Sequence, residues 1–130
     1  MAEPRWVSRL AVDAVHSDQL REHGGLAGVR DQNVLESALA RARNKWGYEN
    51  TSDFAVLAAA YGYGIATNHP YRDGNKRIAF LAMMIFLGLN GCELSASESD
   101  VVTTMLGVAD GHMSEAELAN WLKKHLIEGG

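Results

Sequence analysis

The chain has few cysteines, no long apolar run and no excess of positive charge. Cys92 is its one cysteine, so no disulfide can form within the chain, which fits a reducing cytosol. The apolar run from Ile78 to Leu89 spans 12 residues, short of the roughly 20 that a membrane-spanning helix needs. The net charge of -4 argues against general binding to nucleic acid or to membrane surfaces. We therefore expect a cytoplasmic protein without direct nucleic-acid or membrane partners.

The rest of the composition is that of an ordinary globular protein. Hydrophobic residues make up 47% and charged residues 22% of the 130 positions, enough for a buried core. The sequence contains no repeat, linker or low-complexity segment, so we expect a single domain over residues 1–130. Charged residues in the first apolar stretch argue against a secretory signal. The five histidines show no metal-ligand spacing, so a zinc site is not expected.

Apolar periodicity and capping residues predict an all-α bundle of about six helices. The predicted helices run from Val7 to Glu22, from an Asp31 cap to about Ala42, from Asp53 to Thr67 after a Ser52 cap, from Lys76 to Asn90 after an Asn75 cap, from Ser97 to Val108, and from a Ser114–Glu117 capping box to near Leu126. The third is apolar on almost all sides, so we expect it to be central. The polar residues 43–51 predict an exposed loop or a small hairpin.

Nine consecutive residues between the two most apolar helices form the most informative motif, His69 to Arg77, with the sequence HPYRDGNKR. Gly74 permits a tight turn or a close ligand, and the following helix presents unpaired N–H groups at the positive end of its dipole. Lys76 and Arg77 in that first turn are unfavourable for the dipole unless an anion binds there. The imidazole of His69 can accept a proton from a hydroxyl group. The motif therefore predicts a phosphate site with a base beside it.

Each motif residue also has a simpler structural interpretation. His69 can cap the carbonyl end of the preceding helix, and Asp73 can stabilise an Asp-Gly turn. Lys76 and Arg77 can be a solvated helix edge. Their occurrence together in one short loop favours the functional interpretation. We interpret Arg30 with its neighbour Asp31 as a local ion pair or cap.

The motif resembles the signature of the Fic/Doc family, which is H-P-F-x-x-G-N-G-R-x-x-R in Fic enzymes and H-x-F-x-D-[AG]-N-K-R in the Doc branch. As in the Doc branch, Lys76 stands where Fic enzymes have glycine, and Phe80 stands where they have a second arginine. Tyr71 replaces the usual phenylalanine. The resemblance extends from His23 through Arg41 to the closing Trp121 and Leu122, and it implies the all-α Fic fold over nearly the whole chain.

For the site, the resemblance implies a transferase that uses ATP and Mg²⁺. His69 would accept the proton of the target hydroxyl, Asp73 would bind Mg²⁺, and the phosphates would be held by Gly74, Asn75, Lys76 and Arg77. Doc-like proteins are understood to be protein kinases that pass the γ-phosphoryl group to a serine or threonine of the elongation factor delivering aminoacyl-tRNA, which stops translation. Fic enzymes transfer AMP instead. Lys76 would crowd the phosphate seat that AMP transfer needs, so we favour the kinase. A binding module without catalysis is the third interpretation.

The resemblance also predicts partners. Many Fic enzymes carry an inhibitory helix with the pattern [ST]-x-x-x-E-[GN], which does not occur in this sequence. An unrestrained enzyme would harm its host, so we expect an antitoxin that inhibits in trans through a helix bound in a groove. Trp46 and Tyr48 are candidates for docking the target protein, because this region is taken to form a flap in the family. Alternatively, both fold back over the core.

Overall fold

The computed structural model describes residues 3–128 and contains six helices there. These are α1 Arg9–His23, α2 Gln32–Glu49, α3 Phe54–Asn68, α4 Asn75–Leu89, α5 Glu98–Ala109 and α6 Glu115–His125. Two three-residue strands, β1 Cys92–Leu94 and β2 Leu126–Glu128, pair antiparallel with Cys92 opposite Glu128. The all-α prediction is confirmed. The strand pair was not predicted, because three residues are too few to show an alternating pattern.

Side-chain caps fix the starts of most helices. Ser8, Asp31 and Ser97 accept first-turn N–H groups, and Ser114 with Glu117 forms the full capping box predicted by their spacing. Two predicted caps are wrong. The cap of α3 is Asp53, not Ser52, because its carboxylate accepts from the Ala55 N–H at 2.9 Å. The residue before α4 is Gly74, not Asn75, because Asn75 already has helical geometry and uses its side chain elsewhere.

The largest error in the predicted boundaries concerns the end of α2. Residues 43–51 do not form a loop or hairpin, because α2 continues to Glu49. Its last turns are held by tertiary contacts that no local pattern reveals. Trp46 is half-buried and its ring meets that of Trp6 edge-on, with 6.0 Å between centroids, while the Arg43 guanidinium lies 5.4 Å from the Trp6 centroid. Packing therefore overrides the weak helical signal of this polar segment.

The central position predicted for α3 is confirmed. Ten of its 15 residues are buried, and it packs against α2, α4 and α6. Two glycines allow the close approach of its neighbours. A Cβ at Gly62 would overlap the Met83 sulfur of α4, and one at Gly64 would lie 3.3 Å from Cδ of Arg41 in α2. The two helices that flank the motif are thus tightly packed together.

The apolar run that follows the motif forms most of α4. Six of its residues are buried against α3 and the rest of the core: Ile78, Ala79, Ala82, Met83, Phe86 and Leu87. The helix is 15 residues long, which agrees with a core helix. Across residues 3–128, none of the helices combines the length and the hydropathy needed to cross a membrane.

Candidate active site

The motif loop begins at a strained backbone position, His69. This residue ends α3 in the left-handed region, with φ 50° and ψ 59°, and its N–H donates to the Ile65 carbonyl at 3.2 Å. A positive φ is uncommon for a residue other than glycine, and the residue before a proline usually adopts an extended conformation. Such a conformation costs on the order of 1–3 kcal/mol and persists only where surrounding contacts impose it. The predicted base is therefore an exposed side chain on a constrained backbone.

Arg30 supplies the contacts that constrain His69. Its Nε donates to the His69 carbonyl at 2.7 Å, and its Nη2 donates to the Asn68 carbonyl at 2.8 Å. The planar fork of a guanidinium suits two successive carbonyls. The backbone N–H of Arg30 also donates to the Pro70 carbonyl at 2.7 Å. Asp31 is a helix cap, as interpreted from the sequence, whereas Arg30 makes no ion pair with it and instead holds the end of α3.

The Asn75 side chain forms two hydrogen bonds with the backbone of Tyr71, within the same motif. Its Oδ1 accepts from the Tyr71 N–H and its Nδ2 donates to the Tyr71 carbonyl, both at 2.9 Å. Tyr71 is buried under the loop, and its hydroxyl donates to Asp13 at 2.8 Å. Burial, together with the hydrogen bond to Asp13, raises the pKa of Tyr71 well above its ordinary value, so the hydroxyl stays protonated. One Nδ2 hydrogen of Asn75 remains for a ligand, and its phosphate role stays a prediction.

Asp73 lies in the turn before α4, with an exposed carboxylate. Its Oδ1 accepts from the Gly74 N–H at 2.9 Å, and its Oδ2 accepts from the Leu26 N–H at 3.3 Å. Gly25 packs so closely that a Cβ there would lie 2.7 Å from Oδ2. No group of three or more His, Cys, Asp or Glu side chains suited to a metal occurs in the described part of the chain. A lone carboxylate fits Mg²⁺ when nucleotide phosphates and water complete the coordination.

The start of α4 lacks a side-chain cap within the described structure. Gly74 precedes the helix with φ 79° and has no side chain to accept first-turn N–H groups. The first turn contains no acid but holds Lys76 and Arg77, both exposed. Backbone N–H groups, the helix dipole and two cations thus coincide at one exposed helix end, which suits a phosphate.

A groove of about 820 Å³ connects this helix end to an apolar surface between α4 and α5. We call it the motif groove. One part is lined by the motif residues Asp73, Gly74, Asn75, Lys76 and Arg77, and the other by residues that include Phe80, Leu81, Met84, Leu94, Val101, Val102, Met105 and Leu106. Val102 and Leu106 are 52% and 43% exposed. The structure therefore brings five of the predicted site residues together beside an uncovered apolar surface. A second, smaller cavity along α2 and Asn68 contains none of them.

The two predicted docking aromatics lie on the last turns of α2, not in a loop. Trp46 covers part of the core, as the alternative interpretation had it, whereas Tyr48 is 88% exposed. Neither lines the two cavities described above. The α1–α2 loop (residues 24–31), by contrast, does contact the motif, because Val29 pairs with Tyr71 in an antiparallel bridge. The docking role of Trp46 and Tyr48 stays a prediction.

One buried polar residue beneath the motif was not identified from the sequence. His16 of α1 is 5% exposed, and its Nε2 lies 3.0 Å from the Asp73 carbonyl oxygen. Its ring stacks on Tyr71 with 4.0 Å between centroids. In the sequence, His16 lies outside the motif and shows no metal-ligand spacing. A single histidine on a helix carries no pattern that reveals a partner 57 positions away.

Comparison with known proteins identifies relatives of this chain. The model of the Fic/DOC family matches residues 6–87, a span that includes the whole motif and Arg30. The chain is 28% identical over 120 residues to "Protein kinase doc" of Escherichia phage P1, covering 92% of this chain and 94% of that protein. It is 39% identical over 74 residues to "Toxin Doc" of Mycolicibacterium smegmatis (strain ATCC 700084 / mc(2)155), covering 56% of this chain and 57% of that protein.

Proposed function

Because the chain belongs to the Fic/DOC family, we propose that it is a Doc-like toxin, a protein kinase that transfers the γ-phosphoryl group of ATP to a serine or threonine hydroxyl. The substrate would be the cytoplasmic elongation factor that delivers aminoacyl-tRNA, so the modification would arrest translation. The relative named as a protein kinase supports this choice of activity. The structural observation that carries the proposal is the uncapped start of α4, with Lys76 and Arg77 in its first turn beside the Asp73 carboxylate.

In the proposed reaction, His69 accepts the proton of the target hydroxyl as its oxygen attacks the γ-phosphorus. A new P–O bond forms, the bond to the β-phosphate oxygen breaks, and ADP leaves with that oxygen. Lys76, Arg77 and the first-turn N–H groups of α4 offset the phosphate charge. Asp73 would hold Mg²⁺, which neutralises and orients the phosphates when bound. The contacts of Arg30 hold the backbone of His69 in place.

AMP transfer is the second candidate, and the residues of α4 decide between the two. Attack at the α-phosphate requires the phosphates to lie deep against the start of the helix. Lys76 adds a long cationic side chain at that position. Phe80, on the next turn of α4, lines the apolar part of the motif groove, so that position supplies no cation to clamp phosphate. Both features favour an orientation in which the γ-phosphate faces His69.

We further propose that an antitoxin inhibits the protein in trans. The relative named as a toxin supports a toxin–antitoxin pair. A helix with an apolar face would cover Val102 and Leu106 in the motif groove. Because the same groove is lined by Asp73 and Lys76, its occupant would obstruct the nucleotide site. Expression without the antitoxin should therefore arrest growth.

A labelling assay tests the proposed activity. The purified protein is mixed with Mg²⁺, the elongation factor and ATP labelled on either the γ- or the α-phosphate, with His69→Ala as the control. We expect label from γ only, and none with the variant. Label from α only would establish AMP transfer and contradict the interpretation of Lys76. No label from either, together with growth arrest by both proteins, would establish a binding module in place of an enzyme.

A further inference from the structure

We propose that His16 is a positioning residue for the motif: its buried imidazole fixes the backbone of Asp73 and thereby orients the Asp73 carboxylate toward a magnesium–nucleotide complex. This inference rests on the proposed function, because it assigns Asp73 a metal to bind. His16 itself touches neither nucleotide nor target in this arrangement. It acts through a hydrogen bond to the main chain.

The hydrogen bond between His16 and Asp73 has a defined direction. A carbonyl oxygen only accepts, so Nε2 of His16 must carry the hydrogen that it donates at 3.0 Å. The side chain is 5% exposed, so little water is present to replace the bond. A hydrogen bond in such a low-dielectric position is stronger than one at the surface, and its loss leaves a polar atom unsatisfied.

The His16 ring is itself held by surrounding contacts. It stacks on Tyr71 with planes 20° apart, and Tyr71 is fixed at its backbone by Asn75 and at its hydroxyl by Asp13. Asp13 lies one helical turn before His16 and accepts from the Arg9 Nε at 2.8 Å. The face of α1 that carries Asp13 and His16 is therefore a preorganised support under the motif.

The backbone at Asp73 needs this support because the next residue does not restrict it. Gly74 has φ 79°, a conformation that glycine adopts freely but also leaves freely. A Cβ at Gly74 would lie 3.9 Å from both Nε2 and Cδ2 of His16, which places the imidazole directly beside this turn. The Gly74 amide that binds the Asp73 carboxylate belongs to this turn, so the carboxylate moves with it, while the second amide, that of Leu26, lies in the α1–α2 loop. Fixing the Asp73 carbonyl therefore fixes the orientation of the carboxylate.

Three substitutions of His16 separate the effect of its hydrogen-bond donor from the effect of its side-chain packing. His16→Gln can place its amide nitrogen near the Nε2 position and keep a donor. His16→Asn has the same chemistry but is too short to reach, and His16→Leu fills a similar volume without any donor. Urea unfolding of each variant reports whether the bundle is intact, and the comparison of Gln with Asn remains if the Leu variant does not fold.

Calorimetric titration of Mg²⁺ with a non-hydrolysable ATP analogue gives a readout independent of turnover. Loss of a partner that orients a metal ligand typically weakens metal affinity roughly 10- to 100-fold. We expect a weakening of this order for His16→Leu and His16→Asn, with His16→Gln close to wild type. In the kinase assay, the same variants should raise the KM for Mg·ATP more than they lower kcat.

Other binding results would contradict the inference or the proposed function. Wild-type affinity in the Asn and Leu variants would overturn the inference while leaving the proposed function in place. An equal loss in all three folded variants would also overturn it, because ring stacking and not the donor would then matter. Absence of magnesium-dependent binding by the wild-type protein would overturn the proposed function, and the inference with it.

Discussion

The two central helices begin in opposite ways, although they pack against each other. At the start of α3, the Asp53 carboxylate accepts from the Ala55 N–H at 2.9 Å and pairs with Lys123 at 2.8 Å. At the start of α4, Gly74 provides no cap, and the first turn carries cations where the dipole favours acids. Side chains cap all the other described helices. The start of α4 thus lacks the side-chain cap that the other described helix starts have, and a ligand can bind its first-turn N–H groups instead.

The carbonyl end of α3 strengthens the contrast, because it faces the same motif and its carbonyls at Asn68 and His69 accept from a protein side chain. Arg30 binds the last two carbonyls, and the Asn68 side chain donates to the Gly64 carbonyl at 2.8 Å. The motif thus joins a closed helix end, which carries His69, to an open one. We infer a division of roles in which the closed end fixes the base and the open end binds charge.

The strongest test of this contrast reverses the charge at the open end. Lys76→Glu supplies the acid that the α4 dipole favours, so the free energy of unfolding should rise by about 0.3–1 kcal/mol. Transfer should fall roughly 10- to 100-fold, because a charge-assisted contact of about 1.5–3 kcal/mol is lost. Urea unfolding and the labelling assay measure the two effects.

Arg72→Glu is the matched control for this charge reversal. It makes the same change in net charge within the same loop but lies outside the first turn of α4 and does not line the motif groove. We expect it to leave transfer within a few-fold of wild type. Equal losses in the two variants would mean that general surface charge, and not the helix start, governs nucleotide binding.

We expect a smaller effect from removing the Arg30 contacts at the carbonyl end of α3. Arg30→Ala removes the two side-chain hydrogen bonds to the carbonyls of Asn68 and His69. Because the site is exposed, the loss of stability should be about 1 kcal/mol. We expect kcat to fall about tenfold as His69 loses its constraint, a cost of about 1.4 kcal/mol in the barrier. Affinity for Mg·ATP should stay unchanged, as calorimetry can check.

Arg30→Lys distinguishes charge from geometry at the same position. Lysine keeps the positive charge but lacks the planar fork that reaches two carbonyls. It should therefore restore only part of the lost rate. A variant that weakens nucleotide affinity as much as kcat would show that the two ends of the motif are not independent.

The fold was largely predictable because its determinants are local. The capping box at Ser114 and Glu117 and the cap at Asp31 each lie within four residues of the helix starts that they fix. The end of α2 was mispredicted because its stability comes from Trp46 against Trp6, 40 positions apart. Local periodicity contains no information about such a contact.

The difference between local determinants and tertiary contacts also explains which parts of the site could be predicted. The predicted residues from Asp73 to Arg77 are consecutive, so one motif suffices to bring them to one groove. The residues that hold the motif in place come from far along the chain. Arg30 reaches His69 across 39 positions and His16 reaches Asp73 across 57, and neither has a spacing rule. Chemistry carried by a contiguous motif can be predicted from sequence, whereas the supporting contacts depend on tertiary structure.

The smallest effect concerns the capped start of α3. Asp53→Ala should lower the free energy of unfolding by about 1 kcal/mol at pH 7. Asp53→Asn keeps a cap and should lose only the few tenths of a kcal/mol expected of an exposed ion pair with Lys123.

Burial alone would raise the pKa of Asp53, but its hydrogen bonds with Lys123 and the Ala55 N–H hold the pKa below its ordinary value. Because the pKa of Asp53 is lower in the folded than in the unfolded state, the ionised carboxylate stabilises the fold above the unfolded pKa of about 4, and this contribution is lost as pH falls through the lowered folded-state pKa. In urea unfolding, wild type and the Asn variant should therefore differ more at pH 7 than at pH 3. Neither variant should alter Mg·ATP binding; a loss like that of Lys76→Glu would show that the two helix starts act as one site.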